Sequence, residues 1–190
     1  MPFNKIHEWL ESERSLGISE PESAILSTAS KNTPHSRVVA IREIKDESAV
    51  FFTSSKTRKV DELLNNPTTT INFWLSVQKR QIILEGKTYP LMQEENEQYW
   101  STLSRDRQLR FSVYAPFSGR EIGNVSELEN MREALFQNSI DQNIPRSEFY
   151  MGFRFIPETI IFYTLIKDGF SEVVRFTKEN DYWRQQQLSP

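Results

Sequence analysis

Apolar and polar positions alternate along much of this chain, and helical spacing interrupts the alternation only a few times. Ile6, Trp9 and Leu10 share one helical face behind Asn4, a candidate cap, and Gly17 is a natural terminator. Three β-branched or apolar runs follow at 24–30, 38–44 and 49–53, with turn material at 32–34 and 45–48, which predicts a meander of hairpins. A short helix is expected over 59–65, stopped by Pro67, then strands over 68–74 and 81–89 joined by the polar turn 76–80. The stretch 93–104 turns helical with Met92, Tyr99 and Leu103 on one side. Ser126-Glu127-Leu128-Glu129 reads as a capping box opening a helix through Phe136. Strands return at 150–156, 159–166, 172–177 and 182–188, the last hairpin turning at 178–181. Short antiparallel strands with few interleaved helices predict a mainly β, α+β protein: one domain over 1–190, a β-barrel with helices packed outside.

The stretch from Ser36 to Pro67 carries the chemistry. It places Arg37 on a strand, Thr53 at the end of the next, and Thr57-Arg58-Lys59 at the mouth of a helix. A helix start offers unpaired N–H groups and the positive end of the dipole, so adjacent cations there favour an anion, above all a phosphate monoester.

Composition leaves few other routes to chemistry. The 190 residues contain no cysteine and two histidines, His7 on a predicted helix face and His35 in a predicted turn. Neither lies in an HExxH pattern, so a zinc site or a Ser-His-Asp triad is not expected. The six glycines form neither GxGxxG nor a P-loop, and a net charge of −3 speaks against a nucleic-acid partner. The charged amino-terminal stretch lacks a signal peptide's apolar core and nothing approaches a membrane-spanning run, so the cytoplasm is the expected compartment. An enzyme of this composition would borrow its reactivity from a cofactor.

With its strands placed, the chain resembles the pyridoxamine 5′-phosphate oxidase family of FMN flavoproteins from end to end. The segments that carry the resemblance are EWLESERSLGISEPESAILSTAS, RVVAIRE, VFFTSSKTRK, RQIILEGK and VRFTKENDYWRQQQLSP, in family order and spacing. The resemblance implies an FMN-binding split β-barrel of antiparallel strands with peripheral helices, a homodimer with two FMN at the subunit interface. It assigns Arg37 to the first flavin strand, Thr53 to the isoalloxazine, and Thr57, Arg58 and Lys59 to the flavin phosphate. Phe52 stands where tyrosine is common, Gln81 is the glutamine donated by the partner subunit, Tyr163 stands where the family has tryptophan, and Arg175 is the arginine near the carboxyl end.

The substrate half departs from the pattern. Where the family holds its substrate's phosphate with lysine, tyrosine, arginine and serine, this chain has Arg42, Tyr99, Leu103 and Arg107. Tyr99 is kept, Arg42 keeps the charge, Arg107 could replace the charge lost at Leu103, and Leu103 is expected in the core. The arginine and histidine that orient the family's substrate correspond to Ser171 and Val173, after a lengthened connection. A glutamine and serine touching the flavin correspond to Pro116 and Phe117. The resemblance implies hydride transfer from a small aromatic amine or alcohol, phosphorylated or not, to flavin N5, with reoxidation by oxygen, as in vitamin B6 metabolism. Two alternatives stand beside it: an oxidase of the phenazine-biosynthesis type, and a flavin-binding protein without turnover.

Overall fold

The computed structural model describes residues 1–140 and 142–190. Helix α1 (Pro2–Ser15) leads into strands β1 (Ser23–Ser30), β2 (Thr33–Lys45) and β3 (Ser48–Ser54), then helix α2 (Arg58–Asn65). Strands β4 (Thr68–Leu75) and β5 (Arg80–Pro90) precede helices α3 (Gln93–Ser101), α4 (Arg105–Tyr114) and α5 (Val125–Asn138). Strands β6 (Tyr150–Thr164), β7 (Glu172–Glu179) and β8 (Tyr182–Leu188) complete the chain. The sheet order is β3-β2-β1-β4-β5-β6-β7-β8, and a further β3–β6 pairing closes six strands into an antiparallel barrel. The mainly β architecture expected from the sequence is the one found.

The closure depends on β6, which is one strand where the sequence suggested two. Its first half pairs with β3, Phe51 against Phe153 and Thr53 against Met151, while its second half gives the same edge to β7. The exchange happens at a register shift between Glu85 and Gly86, opposite Pro157. Proline lacks an N–H and is tolerated in a sheet at such irregularities. Gly86 is required there because a Cβ would lie 2.1 Å from the Ile156 carbonyl oxygen.

Alternate positions of each strand fill the barrel: Leu26, Phe51, Ile71, Phe73, Ile82, Leu84, Phe153, Phe155, Ile160 and Phe162 are fully buried. α1 plugs one end with Ile6, Trp9 and Leu10, and its buried Glu13 accepts the Val77 and Gln78 backbone N–H groups at 2.9 and 3.2 Å. Burial alone would raise the Glu13 pKa, but those hydrogen bonds and the Gln78 amide hold it below the usual carboxylate range. A second apolar cluster, Trp100, Leu109, Phe111, Ala115, Ile144 and Tyr150, seats α3 and α4 outside the barrel against Phe52.

Several local expectations need correction. α1 begins at Pro2 behind Met1, so Asn4 lies inside the helix. The first hairpin turns at Lys31–Asn32, both at positive φ as a two-residue turn requires, and β2 already starts at Thr33. The helix expected over 93–104 ends at Ser101, its buried residues are Asn96 and Trp100, and Met92 is exposed. A separate α4 follows, capped by Ser104, whose hydroxyl accepts the Arg107 N–H. Asn124, not Ser126, caps α5. His35 lies on β2 rather than in a turn.

Candidate functional site

The basic helix start is built as the sequence implied. Arg37 shares the inward side of β2 with Val39 and Ile41, and Thr53 closes β3 on the inward side. α2 begins at Arg58 with Thr57 as its N-cap, and the Thr57 side chain caps no N–H of the first turn. Its hydroxyl instead donates to the Ser54 carbonyl at 2.9 Å. The Lys59 ammonium donates to Thr53 Oγ1 at 2.8 Å and Thr57 Oγ1 at 3.3 Å, with no carboxylate within ion-pair distance among the described residues. Burial, and then the nearby Arg37 charge, lower the Lys59 pKa.

Arg37 and Arg58 are placed differently from Lys59, because both lean on one buried carboxylate. Glu62, 4% exposed, lies 3.2 Å from Arg37 Nη2 and 3.3 Å from Arg58 Nε, and it accepts the Thr28 hydroxyl at 2.5 Å. His35 Nδ1 lies 2.7 Å from its other oxygen. Burial pushes the Glu62 pKa up, yet the Thr28 and Arg37 hydrogen bonds and the His35 and Arg37 charges outweigh it and hold the group ionised. Nothing in the sequence singles out Glu62 beyond its place one turn after Arg58.

Gln81, Tyr163 and Arg175 lie elsewhere, on the outward face of the sheet. One row across it reads Trp74, Gln81, Tyr163, Val173, Leu188; the next reads Asn72, Ile83, Ile161, Arg175, Gln186. Gln81 donates to Asn72 Oδ1 at 3.1 Å, and Arg175 donates to Gln186 Oε1 at 2.8 Å while its buried Nε has no partner among the described residues. On β6, Tyr163 lies twelve residues beyond Met151, the partner of Thr53. Followed along the strand, at about 3.3 Å per residue, that is a path on the order of 40 Å. The two predicted halves of the flavin site also face opposite sides of the barrel wall, Arg37 and Thr53 inward and Gln81, Tyr163 and Arg175 outward.

The predicted substrate residues partly converge. Arg42, Arg107 and Leu103 line a cleft of about 640 Å³ with Phe52, Arg110, Phe111, Tyr114 and Tyr150, bounded on the far side by Arg14, Glu20 and Glu22. Leu103, expected in the core, is only half-buried: it packs against the second apolar cluster and lines the cleft. Phe52 stacks on Tyr150 with ring centres 4.7 Å apart, and Gly152 makes room for it, since a Cβ there would meet the Phe52 ring at 2.4 Å. Tyr99 touches the other side of Phe52 at 5.0 Å, lines an adjoining cavity, and donates its hydroxyl to Glu43. Burial and then Glu43 push the Tyr99 phenol up to about 12. Val173 is packed away, 6% exposed, between Tyr163 and Leu188, and Ser171 Oγ accepts the Ile166 N–H at 3.5 Å. Pro116 and Phe117 lie in a 3₁₀ turn after α4.

Known proteins share the family and the fold of this chain. Residues 10–133 match the family model described as pyridoxamine 5′-phosphate oxidase. The pyridoxine/pyridoxamine 5′-phosphate oxidase of Haemophilus influenzae is 27% identical over 190 residues, covering 100% of this chain and 89% of that protein. The protein of the same name from Cyanothece is 28% identical, covering 100% and 88%. Among solved structures, PhzG from Burkholderia lata in complex with tetrahydrophenazine-1-carboxylic acid superposes with a TM-score of 0.86 at 24% identity, over 100% of this chain and 92% of that one. A pyridoxamine 5′-phosphate oxidase-related, FMN-binding protein from Nostoc punctiforme gives 0.81 at 18% identity, over 98% and 96%. The chain belongs to the pyridoxamine 5′-phosphate oxidase family, and FMN is the cofactor that membership supports.

Proposed function

We propose that this protein is an FMN-dependent oxidoreductase that works as a homodimer and acts on a small anionic aromatic amine or alcohol. The observation that carries the reading is Lys59: a half-buried ammonium beside Arg37, at a helix start whose side-chain cap is turned away. Such a cluster is incomplete without an anion, and the FMN phosphate fits it in charge and place. When bound, FMN supplies a two-electron acceptor for a substrate C–H. Lys59, Arg37 and the α2 N-terminus would hold its phosphate, Thr53 would border the ring, and Arg58 would add charge from the rim.

The dimer is supported by which way the residues face. Gln81, Tyr163 and Arg175 are on the outward face of the sheet, opposite to Arg37 and Thr53, and on this reading they would serve the flavin of the partner subunit. Exposed Ile25, Val38 and Trp74 flank those rows on the outward face and give a second copy an apolar surface. Among the described residues no helix is long and apolar enough to cross a membrane.

Pyridoxamine 5′-phosphate is the default substrate from the relatives' names, and its turnover is expected to be slow. Val173 offers neither charge nor hydrogen bond, and hydride transfer penalises a misplaced carbon severely. The aromatic cleft with two arginines suits a larger aromatic acid equally, which is why the phenazine-type reading stays as the second one. Purified protein should keep a flavin spectrum after desalting, and colourless protein that takes up no added FMN would refute the reading. Mixed with pyridoxamine 5′-phosphate in air, it should form peroxide and aldehyde at well below about 1 s⁻¹, the lower end of ordinary enzyme rates.

A further inference from the structure

Tyr150 carries a buried polar group that the site described above does not use. It is 3% exposed, and its hydroxyl is buried with no hydrogen-bond partner among the described residues. Its ring is held by stacking on Phe52 and by edge contacts with Trp100 and Phe111, each at 5.0 Å, which keeps the residue in the lining of the cleft. An unsatisfied buried hydroxyl is destabilising, and one kept in a native fold calls for a partner such as an ordered water, an ion or a ligand. Burial holds this phenol protonated, with the Arg42 charge acting against that, so it remains a donor.

The charges around the cleft say what the donor would meet. Arg14 is taken by Glu22 and Arg110 by Asp106. Arg42 and Arg107 line the same wall and have no carboxylate partner among the described residues; Arg42 has only the Thr102 hydroxyl at 3.3 Å. Tyr99 is unsuited to the role because its hydroxyl is committed to Glu43, whose charge would repel an anion.

We propose that Tyr150 is the specificity-determining neutral donor of this cleft, giving its phenolic hydrogen bond to the carboxylate or phosphate of an aromatic ligand held by Arg42 and Arg107. Taking the cleft as a ligand site rests on the oxidoreductase reading, but the test does not require turnover. Calorimetric titration of the protein as purified with 1-naphthoate and 1-naphthyl phosphate separates the carboxylate and phosphate arms. For whichever probe binds more tightly, Tyr150→Phe should weaken binding about tenfold or more, as a hydrogen bond to a charged group predicts, and Tyr99→Phe should change it less than twofold. Tyr150→Phe should melt no lower than the parent, because it removes an unpartnered hydroxyl, and should retain as much flavin. The proposal is overturned by any of three results: both probes bind Tyr150→Phe as tightly as the parent, Tyr99→Phe loses as much as Tyr150→Phe, or neither probe binds the parent at millimolar concentration. Loss of flavin from Tyr150→Phe would also overturn it, assigning the residue to the cofactor site. Flavin-free protein that still distinguishes the two variants would refute the cofactor reading alone.

Discussion

Replacing Lys59 with methionine separates an anion site from an ordinary structural lysine. Methionine keeps the stem's volume and removes the charge and the hydrogen bonds to Thr53 and Thr57. In the flavin-free protein, burial and the neighbouring Arg37 already disfavour the ammonium, so the substitution should leave stability unchanged or raise it. In the FMN complex the phosphate would lose a charge-assisted hydrogen bond, which is worth about 1.5–3 kcal/mol, or about 10- to 150-fold in affinity. The pH dependence has a fixed sign. The folded pKa lies below the usual lysine value, so the unfolded chain binds more protons between the two. Lys59's penalty is then full below the folded pKa and fades as pH rises towards the usual value of about 10.4. Urea melts of flavin-free protein should therefore show the parent gaining on Lys59→Met with rising alkaline pH, and fluorescence titration should show the variant binding FMN weakly. Unchanged FMN affinity, together with a loss of more than about 1 kcal/mol in the flavin-free protein, would refute the reasoning.

Glu62→Gln should destabilise the protein by about 3 kcal/mol by leaving Arg37 beside a neutral group. Because the Glu62 pKa is lowered, the parent's advantage should be full above the ordinary carboxylate pKa and disappear as acid titrates the folded group; an advantage that survives into strong acid would contradict this. Gly86→Ala should cost about 3 kcal/mol or more by denaturant melt, since its Cβ would strike the Ile156 backbone oxygen at 2.1 Å, and a neutral effect would mean the register shift is free to move. Trp74→Glu, on a half-exposed side chain next to Gln81, should yield a folded monomer that loses FMN; sedimentation of a flavin-loaded dimer would count against the proposed interface.

Much of the barrel was legible because its strands alternate cleanly, and the basic helix start was legible because cations before a helix have a direct physical meaning. Helix α4 was not legible. Its buried residues Leu109, Phe111 and Val113 recur every second position and imitate a strand, while Arg110 and Ser112 occupy the polar positions between them. β6 read as two strands because Pro157 and Glu158 look like a break, whereas the partner strand absorbs them through its shift at Gly86. His35 read as turn material because Pro34 precedes it, yet the hairpin had already closed at Lys31–Asn32, leaving both residues in the ladder. Tyr150 gave no signal at all: an aromatic at a strand start is usually core, and its importance lies in a hydroxyl whose partners only the packed structure reveals.

Two carboxylates decide what the neighbouring functional groups are free to do. Glu62 holds Arg37 and Arg58 in place, which lets two guanidinium groups stand near Lys59 without driving the helix start apart; it also spends part of their charge. Lys59 keeps its charge uncommitted, so the selectivity of the anion site should rest on that ammonium and the uncapped N–H groups around it more than on the arginines. Glu43 acts in the opposite way at the cleft, binding the Tyr99 hydroxyl and closing that side to anions. Arg42 and Arg107, which have no carboxylate partner among the described residues, line this cleft together with Phe52 and Tyr150. Arg42 borders both the cleft and the adjoining cavity of Tyr99, but only the second holds the carboxylates Glu43, Asp46 and Glu95, so an anionic ligand that relies on the Tyr99 hydroxyl would be expected to bind poorly here.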